Sequence, residues 1–149
     1  MTLQNLLAIK RLQEHAADGA SVRKLLEAAR RNLADARVTV IGADNRFDAA
    51  YKCVMQCGTL GLWANGYRTA TSQPGHHQTT IQSLPLTMAV PTATMVVLDS
   101  LRKQRNLTDY EGDPIPDAAL VAAIEQAQRL LAHTEAWLRD NHPNLLGDA

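Results

Sequence analysis

Apolar residues recur at helical spacing along most of the chain, and the clearest run lies toward its C-terminal end. Leu120, Ile124, Ala127, Leu131, Thr134 and Leu138 follow one another at offsets of 4, 7, 11, 14 and 18, with Leu130 and Trp137 widening the stripe. Such a pattern predicts one long amphipathic helix starting near Pro116. Upstream, Phe47, Tyr51, Val54, Gly58 and Gly61 share a face of a second long helix, expected from about Ala43 to Asn65. The small residues Ala50, Cys57, Gly58 and Gly61 would let a neighbouring helix approach it closely.

The remaining elements follow from turn and cap residues. A first helix is expected over residues 2 to 17, ending where Gly19 takes the left-handed conformation and Ser21 caps the next start. That next helix should run to about Asp35 with Val22, Leu25, Leu26, Ala29 and Leu33 on its apolar side. `RVTVIG` alternates like a strand, but a lone short strand has no partner, so it reads as an extended connector. Gly66 and Tyr67 in `ANGYR` stop the Ala43 helix. `HHQTTIQSLP` reads as a short helix ending at Pro85, and Pro91 suits the first turn of a helix reaching Tyr110. The expectation is an all-α domain spanning residues 1–149, an antiparallel up-and-down bundle of four long helices plus shorter ones.

Composition agrees with this class. The chain has 149 residues, 46% of them hydrophobic, with only one Phe, two Trp and three Tyr, so its core must be aliphatic. Fifteen basic residues balance fifteen acidic ones, which removes any global field toward nucleic acid or an anionic membrane. Anion binding, if present, has to be local. The order of charge and apolar residues in `MTLQNLLAIKRLQEH` is not that of a signal peptide, and no run of 18 apolar residues occurs, so a cytoplasmic protein without a membrane partner is expected. Cys53 and Cys57 lie four apart on a helix, a spacing that suits reduced core residues better than a disulfide. Adding His76 and His77 makes a formal Cys2His2 set, but the spacing fits no zinc module, and neither a metal nor a cofactor is expected.

One helix breaks its own pattern. Thr94, Leu98, Leu101 and Arg105 fall at offsets 0, 4, 7 and 11, so an arginine prolongs an apolar line, while Asn106 and Tyr110 pair on the adjoining face. In one reading the helix simply ends there, with Arg105 reaching to water and Tyr110 packing over the loop. In the other, Arg105 holds a phosphate, Asn106 offers a donor and acceptor beside it, and Tyr110 supplies a hydroxyl or a stacking face. Arg102 and Lys103 raise the local positive charge, and Asp109 and Glu111 oppose it.

Three segments in order, `RFDAAYKCVMQCGTLGLWANGYR`, `GHHQTTIQSL` and `LRKQRNLTDY`, resemble HEPN domains, the higher eukaryote and prokaryote nucleotide-binding helical bundles. The likeness covers roughly residues 43 to 140, leaving the helices of residues 1 to 40 outside it. It rests on an acidic residue and an Ala-Tyr step early in a long helix, an `NGYR` helix end, a Gly-His stretch and an `RNxxxY` signature. The resemblance implies an antiparallel bundle, often a homodimer whose signature residues meet at a cleft. Many members are metal-independent ribonucleases of toxin–antitoxin or defence systems, and others bind nucleotides beside a nucleotidyltransferase partner. Arg105 takes the place of the family arginine, Asn106 of the polar residue after it, and Asp48 of the early acidic residue.

Tyr110 stands where active nucleases carry His. Metal-free RNA cleavage needs a group that takes the 2′-hydroxyl proton near neutrality, which a His at about pKa 6.5 does and a Tyr at about 10 does poorly. His76 and His77, in `PGHHQ`, are then candidates to reach the cleft, whereas His15, His133 and His142 read as surface residues. The sequence therefore points to binding of RNA or a nucleotide with weak or no catalysis, through Arg102, Lys103, Arg105, Asp48, His76 and His77. The alternatives are a metal-independent ribonuclease using Arg105, Asn106 and Tyr110, and a structural helical module. A DNA-reading helix-turn-helix lacks its short Gly turn and basic surface here.

Overall fold

The computed structural model describes residues 1–147. Its elements are α1 (Leu3–Ala8), β1 (Leu12–Glu14), α2 (Gly19–Ala36), α3 (Ala43–Ala64), β2 (Tyr67–Thr69), α4 (His76–Gln82), α5 (Leu84–Met88), α6 (Thr92–Glu111) and α7 (Asp117–Asn141), followed by a 3-10 turn at Pro143–Leu146. The fold is all-α, with a single two-stranded ribbon as its only sheet among the described residues. No described helix is long and apolar enough to cross a membrane.

α3 is the centre of the molecule. It buries Phe47, Ala50, Tyr51, Cys53, Val54, Cys57 and Leu60, and α2 and α7 pack along it, with α4, α5 and α6 on its remaining sides. A helix buried on so many sides loses the polar stripe of a surface helix, which is why its apolar residues do not form one clean face. Both cysteines are free and buried. Its neighbour Cys53, together with burial, holds the Cys57 thiol well above its usual range, so Cys57 stays an unreactive core thiol. Gly58 and Gly61 let α4 and α5 approach: a Cβ on Gly58 would lie 2.6 Å from Thr80 Cγ2, and one on Gly61 would lie 2.8 Å from Thr87 Oγ1. α7 buries Leu120, Ala127, Leu131, Thr134 and Leu138, the residues of its periodic stripe, with Ile124 half-buried at its edge.

The first twenty residues differ from the expectation. The helix foreseen over residues 2 to 17 stops at Ala8, because Lys10 turns into the left-handed region at φ 65°. The chain then forms β1, which pairs antiparallel with β2 in the register Leu12 with Thr69, Gln13 with Arg68 and Glu14 with Tyr67. Leu6 and Leu12 close with Leu62 into a second small core, with Leu3 and Tyr67 at its edge. α2 is capped by Asp18, whose carboxylate accepts from the Ser21 N–H at 2.7 Å. Gly19 is accordingly the first helical residue and not a left-handed stop, and Ser21 is not the cap.

Other boundaries are nearer to expectation. Residues 37–42 form turns without a strand, and Gly66 takes the left-handed conformation at φ 90° after α3. Pro85 does not end a helix: it opens α5, where its missing N–H costs nothing. Pro91 is the cap residue of α6, one position before the first turn.

Candidate functional site

The misplaced arginine of the apolar stripe lies where α6 leaves the core. Leu98 and Leu101 are fully buried, and one turn later the Arg105 side chain is 29% exposed. Its Nε donates to Asp48 Oδ1 at 3.3 Å, lies 3.5 Å from Asp109 Oδ2, and its Cζ sits 5.1 Å from the centroid of the Tyr51 ring. Lys52 holds the other Asp48 oxygen at 3.3 Å. Ion pairs this exposed contribute only about 0–1 kcal/mol to stability. Their effect is on placement: carboxylates from α3 and α6 occupy the Nε side and an aromatic ring supports the guanidinium plane.

α4 brings the second set of groups to the same place. Its first turn is locked by the Thr79 and Thr80 hydroxyls, which donate to Gly75 O at 3.3 Å and His76 O at 2.9 Å. Thr80 rests on Gly58, so the small residue of α3 sets how deep α4 seats. Gly75, His76, His77 and Gln78 then face Arg102, Arg105, Asn106 and Tyr110 across a cleft of about 330 Å³.

The two histidines are in contact, edge to face, with ring centroids 4.7 Å apart. His77 Nδ1 lies 3.2 Å from the Tyr51 hydroxyl. Burial pushes the Tyr51 pKa up to about 12, against the opposing pull of Arg105 and Arg102, so this phenol is neutral across the physiological range. Burial, then the neighbouring His76 and the charges of Arg105 and Arg102, hold His77 below the usual histidine range, so it too is neutral at pH 7. Where the phenol donates to Nδ1, the imidazole proton sits on Nε2; where Nδ1–H donates to the phenol oxygen, Nε2 is left as an acceptor. The first arrangement gives His77 a hydrogen-bond donor at Nε2, the second a base.

Of the residues singled out from the sequence, the structure brings Arg102, Arg105, Asn106, Tyr110, His76 and His77 around one cleft. Asp48 stands behind Arg105 and does not line the cleft. Arg102 is tied to Asp99 at 2.8 Å, and Lys103, 71% exposed and 3.9 Å from Asp99, does not line the cleft. Tyr110 is 83% exposed, so its ring is open at the mouth instead of packed over a loop. Gln78 had no place in the sequence reading, while Tyr51 entered it only through the core face of its helix and the Ala-Tyr step, and Asp109 only as an opposing charge. Tyr51 lies three residues after Asp48 in `DAAY`, a spacing that with the Ala-Tyr step of the resemblance connects it to the acidic residue. His142, read as a surface residue, packs on Trp137 at 5.0 Å, and half-buried His15 on Trp63 at 5.4 Å, whereas exposed His133 bonds Met88 O at 2.7 Å. Comparison with protein-family models, curated proteins and solved structures finds no match to the chain.

Proposed function

We propose that the protein is a HEPN-like helical protein that holds a phosphate of RNA or of a nucleotide between α4 and α6, with little or no turnover. One observation carries this reading: donors from two separate elements, His76 and His77 on one and Arg102, Arg105 and Asn106 on the other, converge on a single cleft. Arg105 presents its Nη groups while its Nε side is engaged by carboxylates. His77 adds a neutral Nε2–H where Tyr51 donates to its Nδ1, and the open Tyr110 ring offers a face on which a base can stack.

The signature position argues for binding over cleavage, because Tyr110 stands there in place of the histidine that active nucleases of the resembled family carry. Titration with a single-stranded RNA and with a mononucleotide tests the reading. Arg105→Ala should weaken both by about 10- to 150-fold, the equivalent of one charge-assisted contact. Undiminished affinity in that variant would rule the cleft out as the binding site.

A metal-independent ribonuclease is the second reading, favoured by the presence of two imidazoles at the cleft. There His76 would take the 2′-hydroxyl proton as the 2′-oxygen attacks phosphorus. The bond to the 5′-oxygen breaks, the imidazolium form of His77, the minor form at pH 7, gives its proton to that oxygen and returns to neutral imidazole, and a 2′,3′-cyclic phosphate remains. RNA incubated with the protein in chelator should then be cut, and His76→Gln or His77→Gln should stop it. RNA left intact by the unaltered protein removes this reading and leaves the first standing. The family resemblance further implies a homodimer, and a nucleotidyltransferase or antitoxin as partner. Light scattering returning the mass of one chain would set the homodimer aside.

A further inference from the structure

α2 carries two pairs of cations with opposite fates. Arg23 and Arg30, seven residues apart, are engaged within the fold: Arg30 by Glu27 and by Glu135 of α7, Arg23 by the Leu145 carbonyl at 3.3 Å. Lys24 and Arg31 have the same seven-residue spacing, one position further round the helix, and both are exposed. Neither has a carboxylate within ion-pair distance among the described residues. They flank a groove of about 380 Å³ whose other walls are Ser21, Leu25, Ala28 and the half-buried Trp63 at the end of α3. No acidic residue lines it. His15 packs on the Trp63 ring from outside the groove.

An aliphatic floor, one indole wall and a cation toward each end, about 10.5 Å apart along the helix, complement a flat apolar ring system attached to anions. We infer that this groove binds a nucleotide unit of single-stranded nucleic acid, its base against Trp63 and its phosphates at Lys24 and Arg31. An acidic peptide meets the same charges, but an extended peptide also needs backbone hydrogen-bond partners. The walls here are helices whose backbone groups are satisfied internally, and Ser21 alone offers a hydroxyl. A nucleic acid strand needs only a π-face and cations. The site shares no residue with the α4–α6 cleft and does not depend on the reading of that cleft.

The two tryptophans give two indole N–H signals in a heteronuclear NMR spectrum, and Trp137→Phe identifies which is which. Adding a single-stranded octanucleotide at low salt should shift the Trp63 signal and leave that of Trp137 in place. Trp63→Leu should weaken binding followed at this site by about 5- to 150-fold, the range for loss of one base stack. Because Trp63 also touches the core, the exposed double variant Lys24→Gln, Arg31→Gln supplies a second readout. It should reduce the slope of log affinity against log salt by about 1.4, or about 0.7 per lost phosphate contact. Arg105→Ala should leave the Trp63 shift intact.

A stationary Trp63 signal while the oligonucleotide binds elsewhere overturns the inference. So does an unchanged salt slope in the double variant, or loss of the Trp63 shift in Arg105→Ala. A Trp63 shift produced by an octaglutamate peptide but not by the oligonucleotide would assign the groove to a protein partner and equally overturn it.

Discussion

Residue by residue, the cleft is a set of protonation states imposed by burial. Because the folded environment disfavours charged His77, the unfolded chain takes up a proton there that the folded chain refuses once the pH drops below about 6.5. The stability this group contributes is complete above that pH and is lost as acid enters the window beneath it. Melting temperatures measured across that range should therefore fall less steeply in His77→Gln than in the unaltered protein. Tyr51 works in the opposite direction: its raised pKa preserves stability up to about pH 10, and that stability is lost as the pH climbs toward about 12. An absorbance titration should show one of the three tyrosines ionising late, with the unfolding transition. Arg105 was legible in the sequence because a charge interrupts an apolar repeat. Tyr51 was visible as the Ala-Tyr step but its role was not, since a tyrosine on the buried face of a helix looks like any core residue until His77, 26 residues on, is seen beside its hydroxyl.

Among elements, α3 decides where α4 sits. Gly58→Ala places a methyl group against Thr80, a β-branched buried residue whose hydroxyl is committed to His76 O, so α4 must move. A net loss of about 1–2 kcal/mol is expected, the overpacking cost outweighing alanine's better helix propensity. The same shift carries His76 and His77 away from Arg105, so RNA affinity should drop as well. Gly61→Ala meets Thr87 and Met88 of α5 instead. It should cost stability in chemical denaturation while leaving affinity nearly unchanged, and equal effects of both variants on binding would contradict this division. The long helices α3 and α7 could be drawn from periodicity and cap residues. α1 and β1 could not, because Lys10 adopts a backbone conformation its residue type does not announce. The partner of Leu12 is Thr69, far along the chain.

For the whole molecule, equal numbers of acidic and basic residues leave binding to short-range contacts. With one phosphate held in the cleft, its log affinity for single-stranded RNA should fall with log salt at a slope of about −0.7, far shallower than for a strongly basic protein. Fluorescence anisotropy over a salt series measures it, and a slope several times steeper would mean that the strand is held mainly elsewhere. The class of fold was readable from an aliphatic, aromatic-poor composition and 3.6-residue periodicity. The cleft was not readable as a shape, because its two sides, `GHHQ` and `RKQRN`, meet only once α3 has seated both.

The small core beneath the N-terminal ribbon has a practical outcome. Leu6 and Leu12 cover Leu62, which is 1% exposed, and β1 occupies the hydrogen-bonding edge of β2. A recombinant chain begun at His15 would retain its long helices yet display a greasy patch beside an open strand edge, the combination that promotes self-association. Size-exclusion profiles of such a shortened chain should show oligomers that grow with concentration, so affinity tags and fusion partners belong ahead of Met1 and not in place of this segment.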